Sequence, residues 1–344
     1  PNSAEPAPAP AHDPVPARAQ NGTRGNRGAD RLVHHLGSGA VNAGPMGTWI
    51  PVKMTPSRSL CGTTPAEFGE LLERLAPLVE VVRAERLARD DRVRAPGAGM
   101  KPKAFQFRLL VSLTHLRLGT SLRATASMFG IDEKSVRNWR DELEALLVAH
   151  GVAVAGRSAP VRTLGDLAEY LQQRGDDDYV IIDGTDIPRP RPGSWESQRP
   201  AWSGKSHDHV VKGTVVADAD GNPIWFEANP NGEGRTQDIT MLRNGALLGV
   251  LALSAVTILA DLGYQGLGGD VAGDVYTPRR RRPGHKHLDR DDRLHNHGLA
   301  QARIRVEHSI ARLKRWGVMR QHRRHPDTLD RVGQATVVLD SLTW

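Results

Sequence analysis

Up to about residue 60 the chain shows no apolar period. The opening PNSAEPAPAPAHDPVPARAQNGTRGNRG is built largely of Pro, Ala, Gly and Asn. Such a composition buries too little apolar surface to offset the entropy of ordering, so residues 1–60 are expected to be a disordered tail. Helical spacing then begins. Phe68, Leu71, Leu72, Leu75, Leu78, Val79 and Val82 recur on one face. Thr64-Pro65-Ala66-Glu67 supplies a cap, a first-turn proline and an early acid, which places a helix start near Thr64. The segment RAPGAGMKPK breaks the pattern.

AFQFRLLVSLTHLRLG reads as one helix with an apolar face. Thr120-Ser121 opens a short helix, LRATASMFG, that Gly130 closes, and Ile131-Asp132 leads into EKSVRNWRDELEALLVAH. Short helix, glycine turn and a helix with a polar start form a helix-turn-helix pattern over residues 104–149, inside a helical domain of residues 61–150. A helical bundle with a solvated basic face has the same pattern. If the second helix enters a major groove, Lys134, Ser135, Arg137, Asn138 and Arg140 lie on its early turns, in reach of phosphates or base edges.

Residues 151–178 read as a connector carrying a short helix. From Tyr179 the pattern changes to strands. YVIID is the first. VVKGTVVAD and NPIWFEA flank the turn Ala219-Asp220-Gly221 as a hairpin. TQDITMLRNGALLGVLA reads as a helix, VTILAD and DVYTP as further strands, Arg293 to Trp316 as a long helix, and DTLDRVGQATVVLDSL as the last one. Residues 179–344 are therefore expected to form an α/β domain around one mixed sheet, flanked by helices.

Charge adds a partner class. Forty-six Lys and Arg against 39 Asp and Glu leave the chain at +7, which favours a polyanion over a neutral ligand. Cys61 is the only cysteine, excluding intramolecular disulfides and zinc sites built on several cysteines. No secretory leader is visible, and the uncharged run Asn244 to Ala260 falls short of the ~20 residues that span a bilayer. The expectation is a cytoplasmic protein with no membrane partner.

Three acids stand out. Asp183 in YVIIDGTDIP and Asp261 in VTILADLGYQG end β-branched runs, and Glu307 lies in the basic helix ARIRVEHSIARLKRWGV. Carboxylates converging from different elements suit divalent metals. Two Mg²⁺ ions about 4 Å apart serve phosphodiester chemistry by activating an oxygen nucleophile and relieving charge on the leaving oxygen. Each acid also has a plainer role. An Asp after a strand commonly forms a turn, and Glu307 can pair with Arg303 one helical turn earlier. Asp186 is a spare ligand candidate, and Asp238 reads as an N-terminal helix residue.

Basic elements surround these acids. Trp202-Ser203-Gly204-Lys205 can present a glycine backbone and Lys205 to a phosphate, or form a simple turn. Gly232 to Thr236 enters a helix whose N-terminus can favour a phosphate. Arg279, Arg280, Arg281, Arg282 and Lys286 form a dense positive loop expected to track a DNA backbone, and Arg312 and Lys314 continue that surface. His285, His287, His295 and His297 raise a zinc alternative without supporting cysteines. Trp316 is expected in the core.

Taken together, these segments resemble the DDE superfamily of transposases, specifically the IS5-like insertion-sequence group related to eukaryotic Harbinger elements. IIDGTDIP resembles the first catalytic segment. AWSGKSHDHVVKGTVVADADGNPIWFEANPNGEGRTQDITML resembles the hairpin and helix that follow, ILADLGYQG the second segment, and RIRVEHSIARLKRW the glutamate helix. FRLLVSLTHLRLGTSLRATASMFGIDEKSVRNW resembles the family's helix-turn-helix. The likeness covers roughly residues 104 to 340. The histidine pair of KSHDHVVK and the N-terminal tail have no counterpart in it. The resemblance implies an RNase H-like catalytic fold, with Asp183, Asp261 and Glu307 as catalytic residues and ligands of two Mg²⁺, for which Mn²⁺ can substitute. It also implies double-stranded DNA as partner, both terminal inverted repeats and target, and a homodimer or higher oligomer. Two other readings of the chain are a catalytically inactive DNA-binding regulator and a general RNase H-like nuclease.

Overall fold

The computed structural model describes residues 54–89, 104–174, 178–229 and 233–343. Most of the expected N-terminal tail, residues 1–53, lies outside them. The remainder of that stretch is packed: Met54 and Leu60 lie against the core and lead into fully buried Cys61. Residues 54–60 are thus ordered, because these side chains have apolar neighbours to bury against.

Helix α1 (Pro65–Leu75) starts where its sequence dictates. The Thr64 hydroxyl accepts from Glu67 N–H while the Glu67 carboxylate accepts from Thr64 N–H, a reciprocal capping box. A short 3-10 turn passes into α2 (Val79–Arg89). Helix α3 (Phe105–Leu118) departs from the expected single apolar face. Every residue from Leu109 to Leu116 is buried, because α3 runs between two cores. Leu109, Leu110, Leu113 and Leu116 join the main one. Val111 joins a second, formed with Ala126 and Val136 and lined by Phe107, Phe129 and Trp139.

That second core holds α4 (Leu122–Phe129) against α5 (Glu133–His150). Ser121 caps α4 through Ala124 N–H, and Asp132 caps α5 through Ser135 N–H. Between them Gly130 adopts φ +62°, a left-handed conformation that L side chains adopt only at a cost. The helix, glycine turn and helix read from the sequence are therefore all present. The connector carries α6 (Leu164–Gln172), capped by Thr163 and Asp166, and an isolated bridge between Val152 and Val161.

The sheet begins with β1 (Tyr179–Pro188), longer than YVIID alone. It continues past Asp183 because β3 (Asp208–Ala217) pairs with it antiparallel as far as Pro188 opposite Val210. Helix α7 (Trp195–Ala201) and the two-residue β2 (Trp202–Ser203) precede β3, and β4 (Pro223–Ala228) completes the hairpin. The Asp218 carboxylate ties the hairpin turn by accepting from Asp220 and Asn222 N–H.

The single helix expected next is two, α8 (Asp238–Asn244) and α9 (Leu247–Leu253). The break has a clear cause. The Glu227 carboxylate accepts from Leu247 N–H, and a Cβ on Gly245 would lie 2.0 Å from it. Strands β5 (Thr257–Leu259) and β6 (Val275–Tyr276) add in parallel to β1, giving the order β4-β3-β1-β5-β6, with β2 also on β3. Helix α10 (Arg290–Leu313) packs on β1 and β3. After the short α11 (Gly317–Arg320), α12 (Leu329–Thr343) is buried over most of its length against β4 and α5. Phe226 of β4 fits there because both its neighbours, Gly213 and Gly333, lack a side chain. Trp316 is buried as expected. Three antiparallel strands followed by two parallel ones, with helices on the faces, fit an RNase H-like domain. Among the described residues no helix is long and apolar enough to cross a membrane.

Candidate active site

The parallel β1–β5 ladder ends with Ile181 opposite Leu259. Continued by two residues, that register sets Asp183 across from Asp261. Both reach the same group on α10: Arg303 Nη2 lies 3.7 Å from Asp183 Oδ2 and 3.9 Å from Asp261 Oδ2. Each aspartate is also tied to its own backbone. Asp183 Oδ1 accepts from Gly184 N–H at 2.9 Å, and Asp261 Oδ1 accepts from Gly263 N–H at 2.6 Å. Asp261 therefore forms the turn expected of an Asp after a strand, yet keeps one oxygen for the site.

Burial pushes the Asp183 carboxyl up from 3.8 to about 6, Arg303 draws it down, and the neighbouring Asp261 charge pushes it up. Two hard carboxylates competing for one cation are a donor set that a divalent ion suits. Glu307 does not join them. It is exposed, one turn beyond Arg303 on α10. Arg303, which the sequence offered as its partner, faces the aspartates instead. Among the described residues no three His, Cys, Asp or Glu side chains gather as a metal-binding group. The structure thus unites Asp183 with Asp261 and leaves Glu307 in solvent.

Sequence reading missed Lys212, which ties Asp186 and Asp238 into a second polar cluster beside this pair. Lys212 is 9% exposed in the middle of β3. Its Nζ donates to Asp238 Oδ1 at 3.0 Å and to the Thr236 carbonyl at 2.9 Å, and lies 3.8 Å from Asp186 Oδ1. The other Asp186 oxygen accepts from Ser203 Oγ at 2.7 Å and from Ser206 Oγ. Lys314 Nζ donates to the Asp186 carbonyl at 3.0 Å, and burial lowers its pKa. One signal for the cluster was available: VVKGTVV puts a charge inside an otherwise apolar strand.

The expected DNA contacts divide. Lys134 and Arg137 are exposed and Asn138 is half-buried on α5, while the Ser135 hydroxyl is held by Asp132. Arg140 is a correction. It is buried, donates to Asp141 at 2.8 Å, and belongs to an ion cluster around Glu144 with Arg324 and Arg331, so it is not free to reach a groove. Lys205 is exposed close to Asp183. Arg279, Arg280, Arg281 and Arg282 are exposed, Arg279 pairing with Asp292 and Arg281 with the Lys286 carbonyl. Arg312 is a second correction. Its guanidinium is taken up by Asp340 at 2.9 Å and the Gly221 carbonyl, an internal tie between α10, α12 and the hairpin turn. His295 bonds the Thr277 carbonyl and His297 bonds Gln301.

The site is thus a pair of aspartates, one within β1 and one just beyond β5, on adjacent strands of a mixed sheet. Residues 182–340 match the family model for the DDE superfamily endonuclease. Over those residues the chain is similar to DDE superfamily endonuclease domains. It is 26% identical over 262 residues to the "Putative transposase for insertion sequence element IS112" of Streptomyces albus G, covering 76% of this chain and 84% of that protein. It is 25% identical over 243 residues to the "Probable transposase for insertion sequence element IS702" of Microchaete diplosiphon, covering 70% and 79%.

Proposed function

We propose that this protein is an insertion-sequence transposase that cuts DNA at terminal inverted repeats and joins the freed 3′ end to target DNA. The observation that carries the reading is the meeting of Asp183 and Asp261 around one cationic group beside the paired β1 and β5. The DDE endonuclease match and the transposase relatives support it.

Asp183 and Asp261 are the residues that would hold Mg²⁺, joined by Glu307 only if α10 shifts to bring it in; the reading takes two ions, with Mn²⁺ able to replace them. Bound there, the ions supply nucleophile activation and charge relief at the phosphodiester. The chain's own groups do the rest. Helices α4 and α5 dock on the repeat, with Lys134 and Arg137 on phosphates or bases. Lys205 and the Arg279–Arg282 loop hold the backbone of the cut strand. Asp183 and Asp261 orient the scissile phosphate for in-line attack, first by water and then, at the target, by the 3′-hydroxyl. Each step makes one P–O bond and breaks one, so no covalent enzyme intermediate is needed. Pairing of two ends calls for a dimer or higher oligomer. The protein works in the cytoplasm, on the nucleoid.

Asp183→Ala or Asp261→Ala is expected to abolish Mg²⁺-dependent nicking of an end substrate while leaving its binding intact. A specific observation favours a second reading, that of a non-catalytic DNA-binding regulator: Glu307 stands exposed away from the aspartates. Wild-type protein that binds ends yet nicks in neither Mg²⁺ nor Mn²⁺ establishes that reading instead. Cuts scattered along any DNA, with no joined strands, mark a general nuclease.

A further inference from the structure

We propose that Lys212 and Asp238 form a strut that sets the separation of Asp183 and Asp261, acting as positioning residues for the site. The proposal rests on the reading of those two aspartates as the catalytic carboxylates. The geometry comes from two glycines, one immediately after Asp183 and one two residues after Asp261. A Cβ on Gly184 would lie 2.9 Å from Asp238 Oδ1. A Cβ on Gly263 would lie 2.8 Å from Asp238 Oδ2 and 2.8 Å from Asp261 Oδ1. The Asp238 carboxylate is therefore wedged between the backbones that carry the two aspartates, one oxygen against each.

A wedge works only if it is itself fixed. Asp238 is the first residue of α8, so its backbone is set by the helix start. Its Oδ1 accepts from Lys212 Nζ at 3.0 Å. Lys212 in turn donates to the Thr236 carbonyl and faces Asp186, three residues beyond Asp183 on β1. Burial of Lys212 keeps that ammonium from exchanging its partners for water. Four otherwise unrelated sequence features thus serve one contact: the glycine of IIDGTD, the glycine of ADLGY, the lysine inside VVKGTVV, and the acid opening DITML. Displacement of the aspartates by a fraction of an ångström is enough to spoil such a site, since productive geometry is held within about 0.5 Å.

The test uses the full chain, with Asp238→Ala, Asp238→Asn, Lys212→Met and Gly263→Ala, and Asp183→Asn as a control. Binding of Mn²⁺ alone is followed by electron paramagnetic resonance of the free ion, and nicking by kcat and KM for an end duplex. The expected result for each strut variant is Mn²⁺ affinity weakened about 10–100-fold, the scale of supporting-shell changes at metal sites. The kcat should fall in step, with KM for DNA unchanged. Asp238→Asn, which keeps the shape, should lose least, and it serves if Asp238→Ala fails to fold. Folded variants with Mn²⁺ affinity and kcat within about twofold of wild type overturn the strut. If the Asp183→Asn control itself leaves Mn²⁺ binding and nicking unchanged, the catalytic reading of the pair has failed. The strut is then judged by crystal structures of wild type and Asp238→Asn. Separation of the Asp183 and Asp261 Cα atoms by more than about 0.5 Å from the wild-type distance supports it, and unchanged separation overturns it.

Discussion

Asp183→Asn should make the protein more stable as it makes it inert, and the gain should appear only above acid pH. The Asp183 side chain is 15% exposed, and its carboxyl is raised from 3.8 to about 6 by burial, with Arg303 opposing and Asp261 adding. At ~1.4 kcal/mol per pH unit, holding it ionised in the fold costs about 3 kcal/mol. The sign follows from proton counts. Between about pH 4 and 6 the folded state keeps a proton that the unfolded state has released, so stability falls as pH rises through that window. Below it the cost is absent; above about pH 7 it is fully developed.

Asparagine cannot ionise and can still accept from Gly184 N–H, but it leaves Arg303 with Asp261 alone, which removes part of the benefit. The net expectation is about 1–3 kcal/mol at pH 8, or roughly 3–10 °C in melting temperature at ~2–4 °C per kcal/mol. The assay is a pair of thermal melts, wild type and variant, at pH 4 and pH 8 in chelator, so that other titrating groups cancel in the difference. A variant less stable than wild type at pH 8, or a gain equal at both pH values, refutes the reasoning. Either result would mean that Arg303 neutralises the pair fully and that the site carries no stored electrostatic cost.

Other sites give sharper structural tests. Glu144, fully buried, faces Arg140, Arg324 and Arg331, so Glu144→Gln should leave three cations to Asp141 alone and cost about 3–5 kcal/mol in denaturant unfolding. Gly333→Ala places a Cβ 2.0 Å from Phe226, and overpacking of about 1–3 kcal/mol should outweigh the ~1 kcal/mol that Ala gains in a helix, lowering the melting temperature. Gly130→Ala meets nothing within 4 Å, so its cost should be the backbone alone, about 1–2 kcal/mol, with DNA affinity falling if the turn sets the angle of α5. Lys134→Ala with Arg137→Ala should flatten the slope of log affinity against log salt by about 2, measured by anisotropy on an end duplex; an unchanged slope removes α5 from the interface.

Much of the fold was legible because local signals and the fold agree. The capping box at Thr64, the Gly130 turn and the Asp218 hairpin each act over a few residues, and each appears where its pattern places it. The departures have a common physical origin in contacts between distant segments. Glu227 splits α8 from α9 by capping the second from a strand twenty residues earlier. The length of β1 is set by its pairing with β3, which no property of YVIID reveals. Arg140 and Arg312 read as surface cations because charge runs are usually solvated, yet their acids, Glu144 and Asp340, are buried and draw them inward.

The site divides along the same line. Asp183 and Asp261 could be chosen from sequence because each follows an apolar run. Their meeting, however, depends on register, and the β1–β5 ladder fixes it over only three paired positions. Strand side chains alternate, so a slip of one residue would turn one aspartate away from the other. Hydrogen bonds over so short a ladder are weak insurance. The register is held mainly by packing: Val180, Ile181 and Ile258 are all fully buried, and a slip would swap the faces they fill and force both to repack. The pairing of the two aspartates is therefore a consequence of core packing one turn of pleat away. The apolar run before each aspartate does more than mark a strand: it is the device that aims the carboxylate.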